Sequence, residues 1–477
     1  MLRRTKIVAT LGPSTDDPQV LWEMCRAGID VARLNFSHGV RADHERRLAL
    51  LAEASLRAGR FVGVLGDLAG PKIRIESFVA GAVQLDDGQA FALDTALDPK
   101  SGNAAEVGVA YQDLPADVVA GDTLLLNDGL IVLEVQRVTG TRIDTRVVVG
   151  GELSNRKGLN RKGGGISAPA LSDKDRDDIR FAAAVGVDFL ALSFVRDAND
   201  VRVARELVVR AGGHARIIAK IERHEAIDNL DEIIEAADGV MVARGDLGVE
   251  MGYAALTGLQ KTILHQSRNR HRVTITATQM MESMIQSPVP TRAEVSDVAN
   301  AVMDGTDAVM LSAESATGRH PVKAVAAMAE VIVGAERYQL SHQRQRHRTE
   351  ANFSHSDEAI AMAVMYVATH MKIRAIVAMT ESGSTPLWMS RIRSDIPIYA
   401  FTRHEGTRRR VTLYRGVYPV AFDIKAEDPE ALHRAVFAML LNLGLVAAGD
   451  LMIITKGALT GVTGGTNSMQ ILEVRGA

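Results

Sequence analysis

Apolar residues recur along this chain in short β-branched runs, each ending in polar side chains and followed, sooner or later, by a stretch with helical spacing. The first four runs lie at 6–12 (KIVATLG), 30–36 (DVARLNF), 61–67 (FVGVLGD) and 188–194 (DFLALSF). Four more lie at 216–222 (RIIAKIE), 239–244 (GVMVAR), 272–278 (RVTITAT) and 307–313 (DAVMLSA). Strands that alternate with amphipathic helices in this number predict a (β/α)8 barrel rather than an open sheet. The runs end on Asn35 and Ser37, Asp67, Glu222, Asp246, Thr278, Ser312 and Glu314. In such barrels the carboxyl ends of the strands build the active site.

The rhythm breaks once, where 70–170 separates the third strand from its helix. Valine, threonine and the turns at 127–129 (NDG) and 139–141 (TGT) predict a small β-barrel or sandwich there. Leaving from the catalytic face, it is placed to close as a lid. After Ala335 the chain turns polar and basic, and 341–355 (SHQRQRHRTEANFSH) reads as a linker or exposed helix boundary. Beyond Ser356, runs at 375–380, 396–402, 416–422, 451–456 and 469–474 alternate with helices, the pattern of an open α/β sheet. The expected organisation is a barrel in two parts, 1–69 and 171–340, an inserted lid at 70–170, and an α/β regulatory domain at 341–477.

Composition narrows the partners. A chain of 477 residues, 47% hydrophobic, with net charge -3, has no basic field for nucleic acid or anionic membrane. Small molecules are the expected partners. The single cysteine, Cys25, excludes an intrachain disulfide framework and reads as a buried apolar residue in a reducing cytoplasm. Arg3 and Arg4 precede an apolar run that Gly12 and Pro13 stop too early for a secretion signal, and no later stretch is long and apolar enough to span a bilayer.

Candidate chemistry centres on 217–246. Side chains on a strand alternate with period two, so Lys220 and Glu222 share a face, and Asp246, closing the next strand, arrives beside them. Two carboxylates and an ammonium suit a hard cation such as magnesium with a phosphoryl group alongside. For these three residues alone, a surface ion pair at strand ends is the better reading.

Seven segments in register change that balance. They are RTKIVATLGPST (4–15), RLNFSHG (33–39), GDLAGPKIR (66–74), AKIE (219–222), MVARGDLGVE (241–250), ITATQMMESM (275–284) and PTRAEVSDVANAVMDGTDAVMLSAESATG (290–318). Together they closely resemble pyruvate kinase, from about residue 4 to the carboxyl end. The resemblance implies phosphoryl transfer from phosphoenolpyruvate to ADP, giving pyruvate and ATP, with magnesium, or manganese in its place. It matches Glu222 and Asp246 to the metal ligands, Lys220 to the lysine that stabilises the transferring group, and Arg33 to a phosphate clamp. Gly245 would offer its N–H to the substrate carboxylate, and Thr278 would sit near the carbon that is protonated. Both also have ordinary readings, a helix cap and a strand-end threonine. The nucleotide side would use Asn35, Ser37, His38, Arg74 and Lys157; His38 packing beside its strand, and Lys157 as a solvated charge, are the alternatives.

Many members of that family bind potassium at positions matching Asn35, Ser37, Asp67 and the carbonyl of Leu68. Potassium-dependent members carry glutamate where this chain has Lys72. An ammonium there supplies the charge and repels the ion, so potassium-independent activity is expected; a Lys72 that swings into solvent is the alternative. In the carboxyl-terminal domain, Thr380, Ser382, Gly383, Ser384 and Thr385 open a helix, where hydroxyls and free N–H groups suit either a phosphate or an ordinary N-cap. The resemblance makes this loop the holder of an effector's phosphate, with 456–466 as a cover. Ser384 stands where members activated by fructose 1,6-bisphosphate often carry a basic residue, which points to a sugar monophosphate or AMP. A homotetramer is also implied. Two rival functions stay open, a magnesium-dependent oxoacid aldolase or lyase and a metabolite sensor without catalysis. The first has no use for a nucleotide side, and the second expects missing catalytic charges.

Overall fold

The computed structural model describes residues 2–342, 353, 355–392, 394–423, 428–457 and 464–475. Its first body is a closed barrel of eight parallel strands: β1 (Lys6–Thr10), β2 (Val31–Asn35), β3 (Gly63–Asp67), β4 (Phe189–Leu192), β5 (Arg216–Ile221), β6 (Gly239–Ala243), β7 (Val273–Ala277) and β8 (Ala308–Leu311). Each strand pairs with its neighbours in sequence, and β8 closes on β1 through Lys6 opposite Ala308. The eight apolar runs are these eight strands.

Period-two alternation divides each strand between two cores. Val8, Val31, Leu65, Phe189, Ala191, Ile218, Met241, Ile275 and Met310 fill the lumen, while Ile7, Ala32, Val64, Leu190, Ile217, Val240 and Val309 face the surrounding helices. The lumen core is continuous with the carboxyl-terminal domain, reaching Val364, Ile376, Met389, Ala400, Val411, Val417 and Ile453. That domain therefore plugs the base of the barrel and leaves the opposite mouth for chemistry.

Between β3 and the helix Asp173–Val185 the chain forms a β-rich insertion, a six-stranded sheet and a two-stranded ribbon with one helical turn at Leu114–Asp117, around a separate core that includes Phe91, Leu124, Leu133 and Ile143. Asn127 (φ 52°), Asp128 (φ 57°) and Gly129 (φ 85°) turn one strand into the next. The carboxyl-terminal sheet has strands β9 (Ile373–Met379), β10 (Ile398–Thr402), β11 (Val417–Ala421), β12 (Leu451–Gly457) and β13 (Thr466–Glu473) in the order β11-β10-β9-β12-β13. Only β13 runs antiparallel to its neighbour. No helix among the described residues is long and apolar enough to cross a membrane. Most of the expected linker 341–355, and residues 458–463 of the expected effector cover, lie outside the described residues.

Buried charge fastens the base to the carboxyl-terminal domain. The Arg391 guanidinium grips the carboxylate of Asp307, with Nη1 to Oδ2 at 2.8 Å and Nη2 on Oδ1, and also donates to the Arg272 carbonyl at 2.8 Å. Asp307 further accepts from the Thr274 amide at 2.9 Å. The close approach also explains Gly63: a methyl there would lie 2.9 Å from the Arg409 carbonyl oxygen. Because Arg391→Met strands a buried carboxylate, we expect it to cost about 3–5 kcal/mol. A lowered urea midpoint checks this, with the Arg391→Met, Asp307→Asn double variant losing less than the sum of the two single changes.

Candidate active site

The alternation that packs the lumen also sets which side chains face into the mouth. Arg33 has the parity of Val31, Asp67 that of Leu65, Ser193 that of Ala191, and Lys220 and Glu222 that of Ile218, so all point into the barrel at its carboxyl end. Asp67, only 1% exposed, is pinned between two cations: Arg33 Nε lies 2.7 Å from Oδ2 and Lys220 Nζ 3.3 Å from Oδ1. Lys220 Nζ also lies 3.0 Å from Glu222 Oε1 and donates to Ser193 Oγ at 2.6 Å. Ser193 Oγ in turn donates to the Leu68 carbonyl at 2.8 Å. Arg33 Nη1 donates to Thr10 Oγ1 at 3.0 Å, so the polar layer runs from β1 to β5.

Charge settles this layer in its ionised form. Burial acts to lower the Lys220 pKa, but the charges of Asp67 and Glu222 outweigh it and raise it above the ordinary value. Burial pushes Asp67 up, and Lys220 and Arg33 more than reverse that, leaving it below the usual range. Glu222 differs: burial and the nearby charge of Asp246 raise it against the pull of Lys220 and of the Phe194 amide, which donates to Oε2 at 2.7 Å.

Asp246 lies not at a strand end, as the alternation suggested, but in the first turn of the helix Arg244–Met251 that follows β6. Arg244, the first residue of that helix, is anchored, donating from Nε to the Ala277 carbonyl at 3.2 Å and from Nη1 to Asp297 at 2.6 Å. Gly245, next in that turn, donates its N–H to Thr278 Oγ1 at 2.8 Å, and the Thr278 hydroxyl donates to the Ala277 carbonyl at 2.7 Å. Thr278 takes the left-handed backbone conformation, φ 67°, which points to a position held for more than local comfort.

Lys72, at the root of the lid, reaches the barrel and places Nζ 3.0 Å from Asp246 Oδ1. Of the oxygens matched to a potassium site, the Leu68 carbonyl is taken by Ser193, Asn35 Oδ1 by the Ser37 amide at 3.1 Å, and Asp67 by Arg33 and Lys220. Arg74 and Lys157 run side by side in the lid root, Arg74 bridging Gly158 and donating to the Arg156 carbonyl at 2.9 Å. Ser37 and His38 are exposed beyond β2, so the packed alternative for His38 does not hold. In the carboxyl-terminal domain, Thr380 Oγ1 accepts from the Gly383 amide at 2.9 Å, and buried Thr385 hydrogen-bonds Thr466 at 2.7 Å. Ser382 and Ser384 stand 3.3 Å apart at the start of the helix Ser384–Ser390.

Several contributors escaped the sequence reading. Ser193 follows from the same parity rule, applied to the run 188–194. Glu250 and Asn160 carry no such signal, because they meet only when the lid folds back: Asn160 Nδ2 donates to Glu250 Oε1 at 3.3 Å, and Oε2 accepts from the His224 amide at 2.9 Å.

Two family profiles match the chain, "Pyruvate kinase, barrel domain" over residues 2–325 and "Pyruvate kinase, alpha/beta domain" over 358–472. It is 52% identical over 477 residues to pyruvate kinase II of Salmonella typhimurium, covering 99% of each chain. The chain belongs to the pyruvate kinase family. A pyruvate kinase of Buchnera aphidicola (subspecies Acyrthosiphon pisum) is 50% identical, again over 99% of each chain. That of Geobacillus stearothermophilus is 43% identical over 99% of this chain and 80% of its own. The chain is thus of the bacterial type, and dependence on a divalent metal comes with the family.

Burial pushes the Glu250 carboxyl up to about 7. A folded pKa above the unfolded value means that the folded state binds this proton more tightly, so stability falls as pH rises from about 4.3 through about 7. Glu250→Gln should therefore be more stable than the wild type at pH 8 by about 1–3 kcal/mol, the gap closing near pH 4.5. Urea titrations at the two pH values check the sign.

Proposed function

We propose that this chain transfers the phosphoryl group of phosphoenolpyruvate to ADP, giving pyruvate and ATP, the last step of glycolysis. Membership of the pyruvate kinase family fixes the reaction class, a phosphotransfer, and favours neither the lyase nor the sensor. The observation that carries the site assignment is the pinned cluster at the barrel mouth, Arg33, Asp67 and Lys220 beside Glu222 and Asp246.

Phosphoryl transfer needs little covalent help from the protein and much positioning and charge neutralisation. Lys220 is suited to this: three partners fix its ammonium and keep it charged, so no reorganisation is needed as charge develops on the transferring oxygens. Arg33 has its Nε on Asp67 and its Nη1 on Thr10, which fixes the guanidinium and leaves Nη2 for the same group. A buried carboxylate, Glu222, and a partly exposed one near it, Asp246, whose charge raises the proton affinity of Glu222, form a hard-oxygen donor set that substrate oxygens can complete, and a magnesium ion, or manganese, fits it. Glu222 and Asp246 would hold that ion, which when bound neutralises charge on the substrate's oxygens. The Gly245 N–H lies at a helix start and faces Thr278. The Thr278 hydroxyl is committed to the Ala277 carbonyl and is a poor acid, so the proton for the enolate reaches carbon through a relay or water.

Asn35, Ser37, His38, Arg74 and Lys157 are assigned to the nucleotide, the last two from the lid root. Potassium is not required in this reading. The oxygens of Asn35, Leu68 and Asp67 already have partners within the fold, and Lys72 brings a positive charge to the barrel mouth at Asp246. For regulation we assign the loop Thr380, Ser382, Gly383, Ser384 and Thr385 to the phosphate of a sugar monophosphate or AMP, in a cytoplasmic homotetramer. The small hydroxyls at the helix start support a single phosphate better than a second anionic group.

The test is pyruvate formation from phosphoenolpyruvate and ADP with magnesium, in sodium- and potassium-free buffer and again with potassium. Turnover in both is expected; activity only with potassium discards the reading of Lys72, and activity without ADP would restore the lyase. Lys220→Met should lower kcat by about a thousandfold while leaving the fold intact by circular dichroism.

A further inference from the structure

The contact between Lys72 and Asp246 joins two parts of the molecule that the proposed chemistry treats separately. Lys72 follows Gly70 (φ 65°) and Pro71 at the point where the chain leaves the barrel for the lid, and Asp246 belongs to the barrel helix Arg244–Met251. The lysine stem lies along the returning lid segment: a methyl on Gly158 would sit 3.1 Å from Lys72 Cε. The glycine leaves the stem its channel, and the channel aims the ammonium at the carboxylate. The pair is half-sheltered, with side-chain exposures of 29% and 18%.

Each carboxylate assigned to the metal thus carries one ammonium at the same distance, 3.0 Å, Lys220 on Glu222 and Lys72 on Asp246. The two lysines are not held alike. Lys220 has Asp67 and Ser193 as further partners, whereas among the described residues Asp246 is the one hydrogen-bond partner of Lys72. One ammonium is fixed and the other can be displaced.

We propose that Lys72 is a built-in placeholder for the divalent cation, which neutralises Asp246 and ties the lid root to the barrel until the metal takes the carboxylate. A divalent ion at about 2.1 Å from an oxygen outcompetes an ammonium at hydrogen-bond distance, and its charge repels the lysine. The displaced ammonium stays on the lid root, beside Arg74 and Lys157, so loading the metal delivers a third cation to the phosphate-facing side of the lid. The device lowers metal affinity in the empty enzyme and makes lid release a consequence of metal loading. It rests on the assignment of Asp246 as a metal ligand.

The experiment is Mn2+ binding to the full-length enzyme without substrate, read from the electron paramagnetic resonance of free Mn2+, for wild type, Lys72→Met and Asp246→Asn. Removing a half-sheltered competing charge should tighten Mn2+ binding in Lys72→Met by about three- to tenfold. An affinity equal to or weaker than wild type overturns the placeholder. Asp246→Asn separates the two readings: if it binds Mn2+ as wild type does, the ligand assignment itself is wrong, whereas a loss there with an unchanged Lys72→Met sinks only the placeholder. Hydrogen–deuterium exchange gives a readout independent of the variants' affinity. In wild type, Mn2+ should speed exchange of amides in 72–76 and 156–159, and in Lys72→Met that exchange should be fast with or without the metal; a wild-type lid root indifferent to Mn2+ also overturns the proposal.

Discussion

A carboxylate buried at the barrel mouth, Asp67, organises the candidate site. An isolated charge at 1% exposure would be untenable, and Arg33 and Lys220 make it stable by approaching from strands on either side of its own. The same contacts solve the reverse problem for the two cations. Each is denied the freedom to wander into solvent and is kept charged where an incoming phosphoryl group would meet it. Ser193 extends the constraint by coupling the Lys220 ammonium to the backbone at Leu68.

The rest of the fold can be seen as what holds that cluster in place. Lumen residues below it pack without a break into the carboxyl-terminal domain, so the barrel has one closed end and one open end. The Arg391–Asp307 pair locks the closed end. At the open end the lid is tied by contacts of a different kind, Asn160 on Glu250 and Lys72 on Asp246, one holding a carboxylate whose proton affinity burial has raised and the other half open to water. Of these two lid contacts, Asn160–Glu250 is as dry as the base, and only Lys72–Asp246 is open to screening by water.

Much of the barrel was legible because period-two alternation and strand count are local properties of a chain. The runs ending at Asn35, Asp67, Glu222 and Thr278 coincide with strands to within a few residues, and parity alone put Lys220 and Glu222 on one face, which the folded barrel turns inward. Asp246 was displaced by a step, into a helix rather than a strand end, because the strand stops at Ala243 and the helix begins at Arg244, whose side chain is held by Ala277 and Asp297, far away in sequence. Ser193 was readable in principle but gave no chemical signal until Lys220 was seen beside it.

The sequence by itself determined the strand count, the inserted β-rich segment, the shared face of Lys220 and Glu222 and, through its motifs, the family. These follow from the short-range geometry of a strand and from residue order. Only the tertiary structure decided that Asp67 has two cationic partners, that the lumen core is shared with the carboxyl-terminal domain, and that Lys72 rests on Asp246. Each of these joins residues distant along the chain, and nothing in a one-dimensional pattern encodes which distant charges meet once closure of the barrel and return of the lid have fixed their distances.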